Sequence, residues 1–249
     1  MKALLERVDD ILTSCSEPSK VLGNLRRVAP LPLLLDVTRA DPERFYAVAR
    51  ASYRHRNGFD KIVLASPPGS SLKLVLHLWE HGDLDGEIDH IHNHRWDFAS
   101  IVLRGTLQYE LYKSDPRGTR YSKLQYQRLP RSRSYELAPC GSMTVSAQAT
   151  ANLTTGSTYT WDATLLHRAW AAPGHKTATL IVQGRPIRKR TTVLVDTDRC
   201  AYPPLRPQLR ALPLDELDDA LSRLASYEPE SGGHSRLDHQ FTSDSCLIA

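Results

Sequence analysis

Residues 85–112, "DGEIDHIHNHRWDFASIVLRGTLQYELY", contain an unusual arrangement of histidines. It places His90, His92 and His94 at every second position, and Asp97, an apolar run and Gly105 follow. In a β-strand, residues two apart share a face about 6.6 Å apart along the backbone. Two neighbouring histidines of this set can therefore bind one metal ion, each with Nε2 about 2.1 Å from it.

A further ligand must come from another strand. His90 and His94 start about 13 Å apart, too far to share one ion comfortably, so only an adjacent pair binds directly. The other histidines of the strand-rich region are His77, His81, His167 and His175. His167 lies in the strand-like segment "TYTWDATLLHRAW" (158–170), and we choose it as the third ligand. For the rest, a hydrogen-bonded core or surface role is the default.

The flanking sequence predicts a mainly β fold with helical extensions. Residues 1–52 have amphipathic helical periodicity, and a helix is expected over 40–54 with Asp41 as N-cap and Pro42 at the first helical position. From residue 59 about ten short, often alternating segments are typical of an antiparallel sandwich or barrel. After residue 200 the chain is rich in proline, then predicts one short helix over 214–227 and a polar, mobile tail.

These changes divide the chain into an N-terminal helical extension (1–52), a β-barrel domain (53–200) and a C-terminal extension (201–249). The net charge of only +4 over 249 residues gives no case for nucleic acid. We expect neither a signal peptide nor a membrane span, since the N-terminus has no uninterrupted apolar core and no apolar run reaches about 18 residues. The cysteines lack Cys-x-x-Cys spacing and are expected to be free thiols in a cytoplasmic protein, namely Cys15, Cys140, Cys200 and Cys246.

The histidine stretch resembles the first motif of the cupin superfamily, G-x5-H-x-H-x3-4-E-x6-G. Gly86 lies six residues before His92, and Gly105 lies eleven after His94. The segment ending at His167 resembles the second cupin motif, without its usual proline and glycine. The resemblance covers about residues 59–196. It implies a jelly-roll barrel with a metal inside, bound by the three histidines.

The sequence departs from the cupin pattern at Phe98, where many cupins have a glutamate ligand. If His92 and His94 point inward on a regular strand, Phe98 does too and Asp97 points away, unless a β-bulge reverses them. Without a carboxylate, the ligand set is similar to that of the three-histidine thiol dioxygenases, cysteine dioxygenase among them. In that comparison Arg56 stands where an arginine for a substrate carboxylate is expected.

The remaining residues have alternative roles. Asp97 is a fourth ligand, an acceptor that orients a ligand histidine, or a cap of the turn before the strand. His90 is a candidate acid or base beside the metal. For substrate binding, the candidates are Arg56, Trp96, Arg104 and Tyr109. Surface charge is the alternative for the arginines, and core packing is the alternative for the aromatic residues.

Three neutral imidazoles favour Fe(II), with Zn, Ni, Mn or Cu as alternatives. The leading hypothesis is a non-haem iron dioxygenase acting on a small amino-acid-like substrate, with that substrate and dioxygen as partners. The alternatives are a non-redox isomerase or lyase using Zn or Ni, and a binding protein without catalysis. We expect neither nucleic-acid nor membrane partners, and a homodimer is compatible with the sequence.

Overall fold

The computed structural model describes residues 2–55, 57–80, 90–129, 134–172, 176–196 and 208–226, and the backbone of 239–240. The described helices are α1 (Lys2–Ser14), α2 (Pro18–Val28), α3 (Leu31–Ala40), α4 (Pro42–Ala51) and α5 (Leu214–Ala225). The first strands are β1 (Tyr53–His55), β2 (Phe59–Ala65), β3 (Lys73–Trp79), β4 (Ile91–His92), β5 (Phe98–Arg104) and β6 (Thr106–Arg128). The later ones are β7 (Tyr135–Thr154), β8 (Thr158–Trp161), β9 (Leu166–Ala171), β10 (Thr177–Gln183), β11 (Thr191–Val195), β12 (Arg210–Ala211) and β13 (His239–Gln240).

The start of α4 follows the sequence prediction. Asp41 has an extended backbone, and its Oδ1 accepts a hydrogen bond from the backbone N–H of Arg44 at 3.0 Å. Pro42 occupies the first turn, where a missing N–H costs nothing. The predicted cap is therefore confirmed.

The strands form two sheets. One has the order β12-β1-β2-β3-β10-β5-β8-β13, and the other has the order β11-β4-β9-β6-β7. Apart from the parallel pair of β13 and β8, the pairings between these strands are antiparallel. The two sheets enclose a shared interior to which both contribute, for example Val75 and Phe98 from the larger sheet and Leu107 from the smaller one.

The larger sheet is buried on both faces. Alternate residues such as Leu76 and Leu180 pack against the helices, while their neighbours Val75 and Ile181 face the barrel interior. Every residue of β10 is buried for this reason, and a strand covered on both faces has no polar side. The predicted fold class, a mainly β jelly-roll barrel with N-terminal helices and a short C-terminal helix, is confirmed.

Two long strands replace several shorter predicted ones. β6 runs through "SDPRG" (114–118) and pairs with β7 on both sides of it. Ser114 and Thr119 both face Val145, so the residues between them form a bulge. Pro116 has no N–H for the ladder, and a bulge is where a strand tolerates it.

The predicted C-terminal helix is α5, which packs on α3. Leu217 and Leu221 are fully buried, and Arg39 Nε donates a hydrogen bond to Asp218 Oδ1 at 2.7 Å. The proposed domain boundary at 200, the tail, Cys200 and Cys246 lie outside the described residues, whereas Cys15 and Cys140 are free thiols. None of the described helices has the length and apolar character that a membrane span needs.

Candidate metal centre

Strand pairing brings the three histidines together. β4 is inserted between β9 and β11, and His92 lies directly opposite His167. The chain leaves β4 after His92, and the backbone N–H of His94 donates a hydrogen bond to the carbonyl of Ala163 at 3.1 Å. This bond holds the backbone of His94 against the turn that leads to β9.

The rings form a compact triangle. Their centroids are separated by 5.0 Å for His92 and His94, 4.8 Å for His92 and His167, and 4.9 Å for His94 and His167. Nε2 of His94 lies 3.3 Å from Nε2 of His167. Two nitrogens each about 2.1 Å from one ion are separated by roughly 3.0–3.4 Å. The three ligand atoms all lie within 4.8 Å of one another, so the group can hold a metal ion.

Two of the rings have their tautomer set by the backbone. Nδ1 of His92 lies 2.8 Å from the carbonyl oxygen of His90, and Nδ1 of His167 lies 3.2 Å from that of Leu165. A carbonyl only accepts, so Nδ1 carries the proton in each neutral ring and Nε2 keeps its lone pair. The Nε2 lone pair of each of these two rings can therefore coordinate a metal ion.

Burial keeps the three rings neutral. It is the main cause that lowers the pKa of His167 to about 3, and the repulsion that protonated His167 and His92 would exert on each other adds to it. Burial, followed by repulsion from His167 and His92, holds the pKa of His94 well below its ordinary value. Burial also lowers the pKa of His92. No proton has to leave these ligands at neutral pH before a metal binds.

Phe98 points inward as predicted, although it begins β5 and does not share one regular strand with His92 and His94. It is 5% exposed, and its ring centroid lies 5.1 Å from that of His94. Asp97 points away: its Oδ1 accepts the backbone N–H of Ala163 at 2.7 Å. Among the described residues, Asp97 is not part of the group that can hold a metal. Its carboxylate ties the start of β5 to the turn before β9, a contact that the sequence did not predict.

A substitution at Asp97 separates the anchoring role from a ligand role. Asp97→Ala leaves the N–H of Ala163 without its acceptor, which should lower the free energy of unfolding by about 1–3 kcal/mol. Asp97→Asn keeps an acceptor oxygen and should stay near the wild-type stability. Denaturant titration measures both effects. Elemental analysis should find wild-type metal content in the Asn variant, and metal loss there would restore Asp97 as a ligand.

Other predicted site residues also face the barrel cavity. His90, Trp96 and Tyr109 line it together with the three histidines. The Trp96 ring stacks on His94 at 5.7 Å, and the hydroxyl of Tyr109 donates a hydrogen bond to that of Tyr159 at 3.2 Å. The backbone carbonyl of His90, as the partner of His92, is the part of His90 with a structural role at the histidine group.

The two predicted arginines are not among the described residues that line the cavity. Arg104 ends β5 and is absent from the described lining of the cavity; its Nη1 lies 3.9 Å from Glu80 Oε1. The register of β5 with β10 shifts just before Arg104, so Arg104 lies opposite Ala178, which packs in the cluster that contains the helices. Glu80 also accepts a hydrogen bond from Arg223 of α5, which places Arg104 on the helix side of the sheet. A substrate-binding role for Arg104 therefore stays a prediction. Arg56 lies outside the described residues.

The cavity contains groups that sequence reasoning did not select. Lys61, His77 and Arg95 line it, whereas no acidic side chain belongs to its described lining. Burial, with the charges of Arg95 and Arg128, lowers the pKa of Lys61 to about 8. One signal was present in the sequence, because Lys61 interrupts the apolar alternation of "FDKIVLA" (59–65).

The fold and the histidine group together define a jelly-roll barrel with a candidate metal centre in its cavity. No known family matches the sequence, and no curated protein sequence matches it. Among solved structures, hydroxypropylphosphonic acid epoxidase from S. wedmorenis aligns at 15% identity over 51% of each chain, with a TM-score of 0.32. A cupin-2 domain containing protein from Shewanella frigidimarina NCIMB 400 aligns at 16% identity over 50% of this chain and 79% of that one, with a TM-score of 0.28. The chain thus spans about half the length of the epoxidase.

Proposed function

We propose that this protein is a metal-dependent enzyme, a non-haem iron oxygenase that binds its metal through His92, His94 and His167 and a small substrate in the barrel cavity. One observation carries the proposal: three neutral imidazoles converge in a cavity whose described lining contains no carboxylate. A divalent iron bound there would supply redox chemistry at open coordination positions.

The chain's own residues would orient the substrate and exclude water. Phe98, Tyr159 and Trp161 are buried beside the histidines and form an apolar wall of the barrel. The Tyr109 ring lies 5.6 Å from His167 and holds that side of the cavity through its bond to Tyr159. An amino-acid-like substrate stays a prediction, because Arg56 is not described and Arg104 is elsewhere.

A non-redox isomerase or lyase using zinc or nickel is the second candidate, and Lys61 favours it. A buried lysine with its pKa lowered to about 8 can act as a general base near neutral pH. The two candidates require different metals and differ in their need for dioxygen.

The test is anaerobic purification followed by elemental analysis and reconstitution with Fe(II) or Zn(II). The Fe(II) protein should consume dioxygen in the presence of an amino-acid or small-acid substrate, and the Zn(II) protein should not. His167→Ala serves as the matched control and should be inactive with either metal. Purified protein that carries only zinc and consumes no dioxygen after iron loading would favour the second candidate. Protein that takes up neither metal would contradict both.

A further inference from the structure

A second pocket adjoins the barrel cavity, and five of the side chains that line it are cationic. They are Arg50 at the end of α4, Lys61 on β2, Lys73 on β3, Arg95 after β4 and Arg128 at the end of β6. Its described lining contains no aspartate or glutamate. Cationic side chains from five separate segments of the chain therefore line one pocket.

Neutral groups contact the inner cations of this pocket. Arg95 Nε is buried without a hydrogen-bond partner in the described structure, and its guanidinium lies 5.1 Å from the centroid of the Trp96 ring. Lys61 Nζ donates a hydrogen bond to Gln183 Oε1 at 3.2 Å and lies 5.2 Å from the same ring. The Arg128 guanidinium lies 5.7 Å from the Tyr53 ring. Cation–π contacts and an amide orient these charges but do not neutralise them.

The cations repel one another. Burial lowers the pKa of Lys61 to about 8, and Arg95 and Arg128 contribute through their charges. Burial, then the charges of Lys61, Arg128 and Arg95, lowers the pKa of Lys73. Placing like charges together in a partly buried site is unfavourable unless an anion joins them. The arrangement is therefore suited to a ligand with more than one negative charge.

The cationic pocket is continuous with the candidate metal centre. Lys61, Arg95, Trp96 and Gln183 line both the pocket and the barrel cavity. The Trp96 ring contacts the two cations and lies 5.7 Å from the ring of His94. One aromatic side chain thus touches both sites, so a small molecule can extend from one to the other.

We propose that the cationic pocket binds the dianionic group of the substrate, a phosphate-type group or a pair of carboxylates, while the other end of the substrate lies at the three histidines. The second half of this statement rests on the proposed function. A single carboxylate would neutralise only one of the cations, whereas a dianion offers oxygens to Lys61, Arg95 and Arg128 together. The planar guanidinium groups suit the bidentate recognition of either kind of dianion.

Calorimetric titration of the purified full-length protein at neutral pH tests the anion site. The probes are inorganic phosphate, malonate and acetate, and acetate should bind at least about tenfold more weakly than the better dianion. The stronger of phosphate and malonate identifies the type of dianion. Arg95→Gln and Arg128→Gln should each weaken binding of that dianion by about tenfold or more. Arg117→Gln is the matched control, because its side chain is 93% exposed on the β6 bulge.

The His94→Ala variant separates the two proposals. It should keep its affinity for the dianion, since the pocket does not need the metal. If the proposed metal centre is wrong, the protein should still bind the dianion. If the proposed anion pocket is wrong, the protein should still contain its metal. Equal binding of acetate and the dianions, or unchanged affinity in Arg95→Gln and Arg128→Gln, would overturn the anion site.

A stability measurement covers the case in which a variant folds poorly. Lys61→Met removes one of the repelling charges, so its melting temperature should rise while dianion binding weakens. Phosphate or malonate should raise the melting temperature of the wild-type protein more than that of Lys61→Met. If Lys61 only supports the fold, Lys61→Met should have a lower melting temperature than the wild type. The dianion should then raise the melting temperature of both proteins equally, which would contradict the proposal.

Discussion

Replacing His94 by alanine is expected to abolish stoichiometric metal binding. Wild-type protein purified from iron- and zinc-replete medium should carry about one divalent ion per chain, and the variant should lose at least about 100-fold in metal affinity, because even the partners of metal ligands contribute 10- to 100-fold. The physical reason is the triangle of rings, because the variant keeps only the nitrogens of His92 and His167 and loses the third ligand. Elemental analysis and competition with a chelator measure the loss.

His90→Ala is the matched control for this result. It removes an imidazole two residues from a proposed ligand but keeps the backbone carbonyl that lies 2.8 Å from Nδ1 of His92. Metal content should therefore match the wild type. Full metal in His94→Ala together with metal loss in His90→Ala would show that the ligand register is wrong by two residues. Circular dichroism should show a folded β protein for both variants.

Gly105→Ala is expected to destabilise the fold strongly. Gly105 joins β5 to β6 with φ +78°, and a Cβ there would lie 2.4 Å from the carbonyl oxygen of Lys176 and 2.7 Å from Oγ1 of Thr177. The left-handed backbone and the collision with a backbone atom should together lower the free energy of unfolding by about 3 kcal/mol or more. In a chain of this size, the melting temperature should fall by about 6 °C or more.

Gly69→Ala isolates the steric part of that effect. Gly69 has φ +81°, close to that of Gly105, but nothing lies within 4 Å of its added Cβ. Only the backbone cost of roughly 1–2 kcal/mol should be seen there. Equal destabilisation of the two variants would show that the contact with Lys176 is not the cause.

The spacing of the histidines was sufficient to predict the core of the candidate site. The spacing of His92 and His94 and the strand context of His167 predicted three residues that the structure brings together. The same parity argument placed Phe98 inward and Asp97 outward. The structure reaches this arrangement by another route, because His94 lies beyond the end of β4 and Phe98 begins β5 of the other sheet.

The cationic pocket could not be predicted in this way. Lys61, Lys73, Arg95 and Arg128 are far apart in the chain, and each alone resembles an ordinary surface charge. They meet only through the pairing of the strands and the path of the chain after β4. The position of Arg104 could not be predicted either, because a register shift between β5 and β10 places it opposite Ala178, on the side of the sheet that packs on the helices.

The packing of α5 on α3 has a consequence for the order in which the protein is made. The helical layer joins residues 31–40 to residues 214–225, so the last of its helices leaves the ribosome long after the others. At 5–20 residues per second, synthesis of the intervening chain takes roughly 10–30 s. During that interval the nascent chain exposes the apolar surface that Leu217 and Leu221 later cover. Translation of α5 thus completes the outer layer of a barrel whose strands β1 to β12 have already been made.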